Sequence, residues 1–374
     1  MNAILKKICE IRGERDLAID DNNQNRYRII VRELNGSKSA YYFGVPIYQA
    51  ASGKLLDMKY QQQNEKVMLY GSNSKIILSD QIVLADSYNT YSIIMLDGFC
   101  YRNDTCCMYN DVEVSPTVNG LLFRVDLSKE RIFSFRLKSE IPFCQIRNNG
   151  KYFALMRGKF TPYLTISMIG VMSNNCVIGP AKIQYQKRND CEYDLTVLAL
   201  TERGTSVWFE MNVQEEKLFQ DTTVESKHPK VNNAYGGTAF VGNCDAFGEQ
   251  WLYMRPNFTV LNDLFGVYIN DVELYLPSLN RSETHLSAHP LAARFCSFGS
   301  NWENKIMQTM IAVCSEPTDG YHKFNLKNIL VQNQRLHTMS EGWILKSAHK
   351  GNGFSVVSTG DSYFAPQILK IKYQ

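Results

Sequence analysis

His285 and His289 stand four positions apart and are the first residues to test for chemistry. On a helix, H-x-x-x-H puts both imidazoles on one face, where they can hold zinc. Here the intervening Leu286, Ser287 and Ala288 include no glutamate, and Pro290 follows directly. The pair is read as two exposed loop histidines. His228, His322, His337 and His349 have no partner at ligand spacing. Cys100, Cys106 and Cys107 lie close together without C-x-x-C spacing or a nearby histidine, so they read as structural thiols. Asp20, Asp21, Asn22, Asn23, Gln24 and Asn25 resemble a calcium loop only in composition. The ligand spacing is absent, and a solvated linker is the better reading. No G-x-S-x-G elbow, P-loop or dinucleotide fingerprint is present. Gly236-Gly237 after Tyr235 reads as a tight turn that needs positive φ. A glycosidase needs two carboxylates roughly 5–10 Å apart. The chain has 37 acidic residues, and nothing in their order selects a pair. The expectation is a protein without catalytic residues, metal or cofactor.

Sugar binding by a β-sandwich would use exposed aromatic faces with amide and carboxylate hydrogen bonds. The four tryptophans, Trp208, Trp251, Trp302 and Trp343, are the candidates. Trp208 falls on the polar side of an alternating strand, opposite Val207 and Phe209, so it is the best candidate for an exposed aromatic. Exposed aromatics equally mark protein–protein contacts.

The elements that would position these residues are strands. Phe133, Phe135 and Leu137 alternate with Ser134, Arg136 and Lys138. The same period of two recurs through Leu164–Met168, Ile183–Tyr185, Tyr193–Ala199, Val207–Val213 and Val272–Leu276. Each segment reads as a half-buried strand. Asn148-Asn149-Gly150, Asn174-Asn175 and Arg203-Gly204 punctuate them as turns. Many short strands at roughly ten-residue spacing predict antiparallel sandwiches rather than alternating β-α units. Ile4, Ile8 and Ile11 predict one short amphipathic helix at the N-terminus. The polar stretch from Glu215-Glu216 to Lys230 reads as a break between two strand-rich regions, and a strand over 368–373 closes the chain.

A chain of 374 residues leads one to expect two to three domains at about 150 residues each. Lys plus Arg number 40 and Asp plus Glu 37, for a net charge of +3. That is too little excess charge for a nucleic-acid binder that works by a broad basic surface. Aromatics at 12% favour strands. The N-terminal residues lack an apolar signal region, and no stretch approaches the roughly 20 apolar residues of a membrane-spanning helix. Synthesis in a reducing cytoplasm is therefore expected. Cys9, Cys144, Cys176, Cys296 and Cys314 lie in or beside apolar runs and read as core thiols.

The second strand-rich region has a further signature. It opens with Asp221, Thr222, Val224, Ser226, Pro229, Asn232, Tyr235 and Gly236, in the order D-x-x-V-x-S-x-x-P-x-x-N-x-x-Y-G. It continues with Trp302 in SFGSNWENKI and ends with YFAPQILKIKY. This order resembles the DNRLRE domain, a jelly-roll-like β-sandwich of bacterial surface proteins and phage-encoded proteins. The resemblance covers about 150 residues. It departs at Trp251-Leu252-Tyr253-Met254-Arg255-Pro256, which stands where the family has a run of leucines before an arginine and a phenylalanine. The preceding region is similar to prophage proteins of Gram-positive gut bacteria that carry the same domain.

The expected fold is all-β: two or three antiparallel sandwich or jelly-roll domains behind a short helix. The expected boundaries are 1–28 for helix and linker, 29–215 for the first strand-rich domain and 216–374 for the jelly roll. The resemblance implies a non-enzymatic virion protein of a tail, neck or baseplate, made in the host cytoplasm. Its partners would be other virion proteins and further copies of itself, with a host glycan added where it serves in host-surface attachment, and neither nucleic acid nor membrane among them. The alternative is a carbohydrate-binding module for host cell-wall or capsular polysaccharide.

Overall fold

The period-two segments are strands in the computed structural model, which describes residues 2–374 apart from 21–24, 64–65, 95, 128–131, 144, 202–203, 282–283, 310–312, 319 and 349–352. Cys144, Arg203, His349 and the centre of the acid-and-amide cluster lie outside the described residues. The protein is all-β, with every strand pairing among the described residues antiparallel. The expected helix runs Ala3–Arg12. The Asn2 side chain accepts a hydrogen bond from the Ile4 amide at its start, and Gly13, at φ 70°, closes its end. Both are standard caps, one meeting an orphan N–H and the other allowing the left-handed turn.

Four large sheets carry the fold, and we number them I to IV by position in the stack. Sheet I has eight strands, from Gln61–Gln63 at one edge to Ala181–Lys187 at the other, and sheet II has nine, including Pro162–Ser173 and Ser206–Val213. Their facing side chains form one core, in which Phe123, Phe135 and Phe209 stack with ring centroids 4.8 and 5.7 Å apart. Sheet III has seven strands, including Phe219–Glu225, Gly248–Pro256 and Trp343–Ser347. Sheet IV has six and shares a second core with it around Leu252, Met254, Leu274 and Trp343. The helix places Ile4 and Ile8 on the outer face of sheet IV, against Ile29, Tyr41 and Ile368.

The domain boundaries expected at 28/29 and 215/216 do not follow the strand pairing. Arg28–Arg32 pairs with Lys38–Phe43, which pairs in turn with the final strand Ile368–Tyr373, with Lys38 opposite Tyr373. The N-terminal hairpin therefore belongs to sheet IV, and the first sandwich is inserted within the second. The expected strand at 368–373 is present and sits inside that sheet. The polar break is also corrected. Phe219–Glu225 is a strand in which Asp221, Thr222, Thr223, Val224 and Glu225 are buried. Apart from exposed Gln220, its polar residues face other protein layers instead of water.

The thiols divide differently from expectation. Cys9 and Cys107 are buried, Cys176 is half-buried, and Cys296 and Cys314 are exposed. His289 is also corrected. It lies in the strand Leu286–Pro290, buried, with a ring nitrogen 2.8 Å from Ser287 Oγ. His285 is half-buried at the start of that strand, 3.3 Å from the Ser315 carbonyl. His322 is buried beside it, and desolvation, with the nearby His285 adding to it, lowers its pKa to about 4. Among the described residues no group of three His, Cys, Asp or Glu side chains is placed to hold a metal ion, and no helix is long and apolar enough to cross a membrane.

Candidate functional site: the seam between the sandwiches

Sheets II and III meet face to face, and that junction holds several buried polar groups, among them Glu210, Asn212, Glu225 and Gln250. Strand Ser206–Val213 shows why. Its Val207, Phe209, Met211 and Val213 face the first core, as their alternation predicts. Its other face, Trp208, Glu210 and Asn212, is buried as well. The strand is covered on both sides, so its polar face is an interface.

Trp208 is therefore not the exposed aromatic that its position suggests; it is 8% exposed. The Arg124 guanidinium lies 4.4 Å from its ring centroid, and Phe364 meets it edge-on. Around it, Leu122, Ile169 and Met172 of sheet II pack on Phe240 and Val356 of sheet III. Trp343 is fully buried in the second core. Trp251 is buried on the other side of sheet III, its ring nitrogen donating to Glu249 at 2.8 Å and the Lys346 ammonium 3.6 Å from its centroid. Trp302, half-buried, packs at 4.7 Å from Trp251 with Lys305 over it at 4.6 Å. The structure thus brings Trp251 and Trp302 together and keeps Trp208 and Trp343 apart from them. The tryptophans form no common exposed face.

What the seam holds is charge. Lys151, from the turn at 149–151 beside sheet II, pairs with Glu225 of sheet III; the glutamate is buried and the lysine, at 13% exposure, is nearly so. Glu225 also accepts from Gln250 Nε2 at 2.9 Å and lies 2.7 Å from His228 Nδ1. Burial lowers the Lys151 pKa, and Glu225 opposes that shift. Nearby, Asn149 donates to Asn233 Oδ1 at 2.7 Å, Ser167 donates to the Tyr235 carbonyl at 2.9 Å, and Thr238 donates to the Met168 carbonyl at 3.2 Å. Each bond crosses from one sandwich to the other. A buried polar group without a partner costs stability, so these bonds fix the two sheets in one register.

Glu210 sits in the middle of the seam. Its Oε2 accepts from the backbone amides of Tyr363 and Phe364 and from Asn212 Nδ2, all at 2.9 Å. Complete burial still dominates and raises its pKa to about 7. The folded state therefore holds a proton on Glu210 at pH values where the unfolded chain has lost it. The contribution of Glu210 to stability is greatest below its unfolded value of about 4.5 and is lost as pH rises toward 7, by roughly 3 kcal/mol in total. His322, held neutral in the fold, contributes with the opposite sign, so the Glu210 contribution is read as a difference: between pH 4 and pH 8 the melting temperature of the wild type should fall relative to that of Glu210→Gln.

Gly237 packs directly against Glu210. Neither Gly236 nor Gly237 has positive φ, so the reason expected for the pair is replaced. A Cβ on Gly237 would lie 2.7 Å from Glu210 Oε1 and 3.3 Å from Ser167 Cβ. Gly237 is there because two layers approach closely. Gly237→Ala should destabilise by about 1–3 kcal/mol through overpacking, measured as a lower denaturation midpoint.

At one end the seam opens into a cleft of about 590 Å³. Tyr88, Arg157 and Phe160 line it from the first sandwich, and Asp221, Phe298 and Asp361 from the second. The connecting residues 214–217 run along its floor. There Lys217 pairs with Asp361, and Asp221 faces the same ammonium. Burial raises the pKa of Asp221 and lowers that of Lys217, and each opposes the other's shift. Phe160 and Phe298, from opposite sandwiches, stack with centroids 4.9 Å apart. The Tyr235 hydroxyl donates to the Phe160 carbonyl at 2.8 Å.

Sequence reading missed Lys151, Glu210, Glu225 and Asp361. The one available signal was the polar face of Ser206–Val213, which looks the same whether it meets water or a second sheet. No protein-family model matches the sequence, and no curated protein matches it.

Proposed function

We propose that the protein is a non-enzymatic structural or decoration component of a phage virion, associated with a tail, neck or baseplate, and that it works by protein–protein contact. The observation that carries this reading is the seam. Two sandwiches joined through buried ion pairs and apolar packing, with one inserted into the other, make a body that transmits position and force without a hinge. Such a body suits a part that holds other surfaces at a fixed spacing. The likeness of residues 221–373 to a domain found in phage-encoded proteins points the same way. Edge strands such as Ala181–Lys187 offer places where neighbouring subunits can add.

The test is composition. Particles induced from the host and purified by density gradient should contain this chain in stoichiometric amount by mass spectrometry. Antibody against it should decorate one defined part of the particle in electron micrographs. Its absence from purified particles would overturn the proposal.

A further inference from the structure

The cleft at the end of the seam has the chemistry of a ligand site. Its volume, about 590 Å³, falls in the range of about 300–1,000 Å³ typical of pockets for small molecules. Tyr88 and Phe160 stand half-exposed at its mouth. Its wall holds acceptors that lack donors: Asp221 Oδ2, Gln214 Oε1 and Glu215 Oε2 are buried with no hydrogen-bond partner among the described residues. Asp221 itself is only 4% exposed. The amide of Gln214 is fixed in orientation, because its Nε2 donates to Thr165 Oγ1. Glu215 is held by Arg26 through its other oxygen at 2.9 Å.

These features select a ligand. It must bring hydrogen-bond donors, directly or through a water it orders, and it must have a flat apolar face for the aromatic rim. It should not be an anion. Of the four carboxylates that line the cleft, Glu215 is paired with Arg26 and Asp361 with Lys217, which leaves Glu216 and Asp221 against one lining cation, Arg157. A pyranose has hydroxyl donors around its edge and a C–H face on one side. We propose that this inter-sandwich cleft binds a neutral or amino-substituted oligosaccharide, stacked on Tyr88 and Phe160 and hydrogen-bonded to the acceptors of the wall. The site is built from both sandwiches, so only the assembled chain presents it. The inference does not depend on a virion role, since a chain absent from particles could still bind sugar here.

The experiment uses the full chain on an array of neutral, amino-bearing and acidic oligosaccharides, followed by calorimetric titration with the strongest hexasaccharide. Neutral or amino-bearing sugars should bind and sulfated or uronic ones should not. Phe160→Ala and Tyr88→Ala should each weaken binding roughly tenfold or more. Phe265→Ala, an exposed aromatic outside the cleft, should leave it unchanged. Near-ultraviolet circular dichroism of each variant checks that the fold is kept. A blank array, preference for acidic sugars, or binding that survives both cleft substitutions would overturn the inference. New reducing ends during the titration would contradict the non-enzymatic reading while leaving the site in place.

Discussion

Replacing Lys151 with alanine should cost about 3 kcal/mol of stability, the low end of the loss expected when one partner of a buried ion pair is removed, since the lysine keeps some contact with water. The cause is the group left behind. Glu225 is 2% exposed and sits in the face where sheets II and III meet. Without the ammonium, its remaining close partners are Gln250, Asn233 and His228. Either a carboxylate stays buried without its counter-charge, or it takes up a proton, and both raise the free energy of the folded state. Lys151 also packs its ammonium 3.8 Å from the Phe247 ring centroid, so the substitution removes a contact to sheet III as well. Glu225→Gln in the Lys151→Ala background should recover part of the loss, because the buried charge is then gone from both sides. Urea midpoints of the four species in this cycle measure the coupling. Additive effects would show that the pair does not join the sandwiches.

The second large effect is expected at Trp343. Its side chain is fully buried between sheets III and IV, with Phe219 edge-on at 6.1 Å. Trp343→Ala should destabilise by about 3–5 kcal/mol, from lost apolar burial and the cavity left in a close-packed core. Its indole nitrogen has no hydrogen-bond partner among the described residues. Trp343→Phe removes that unsatisfied donor together with part of the ring, so it should cost far less than the alanine change. Denaturant midpoints compare the two directly. Equal losses would mean that the indole N–H is satisfied or that the site does not relax around the smaller ring.

The alternation of apolar residues made the strands legible, because a side-chain period of two is a local property. Tyr193, Leu195 and Val197 face the first core as their spacing implies. The short helix was equally legible from Ile4 and Ile8. Strand partnership was not, since it is a long-range property. Nothing near Lys38 indicates that it stands opposite Tyr373 at the far end of the chain. The insertion of one sandwich into the other therefore escaped notice, and the boundaries drawn from composition fell in the wrong places.

The candidate site was hidden for a related reason. Glu210 and Trp208 lie on a face that reads as solvated, and polarity alone does not tell water from a second polar layer. His289 was misplaced because Pro290 suggested a loop, whereas here it ends a strand whose partner is Trp343–Ser347. Gly237 was legible as a constrained position, but its cause was a neighbouring carboxylate and not its own backbone angle.

Differential scanning calorimetry of the intact chain tests most directly whether the seam makes the two sandwiches one body. The account predicts a single endotherm whose calorimetric and van't Hoff enthalpies agree. Two resolved transitions, with one sandwich melting while the other stays folded, would contradict it.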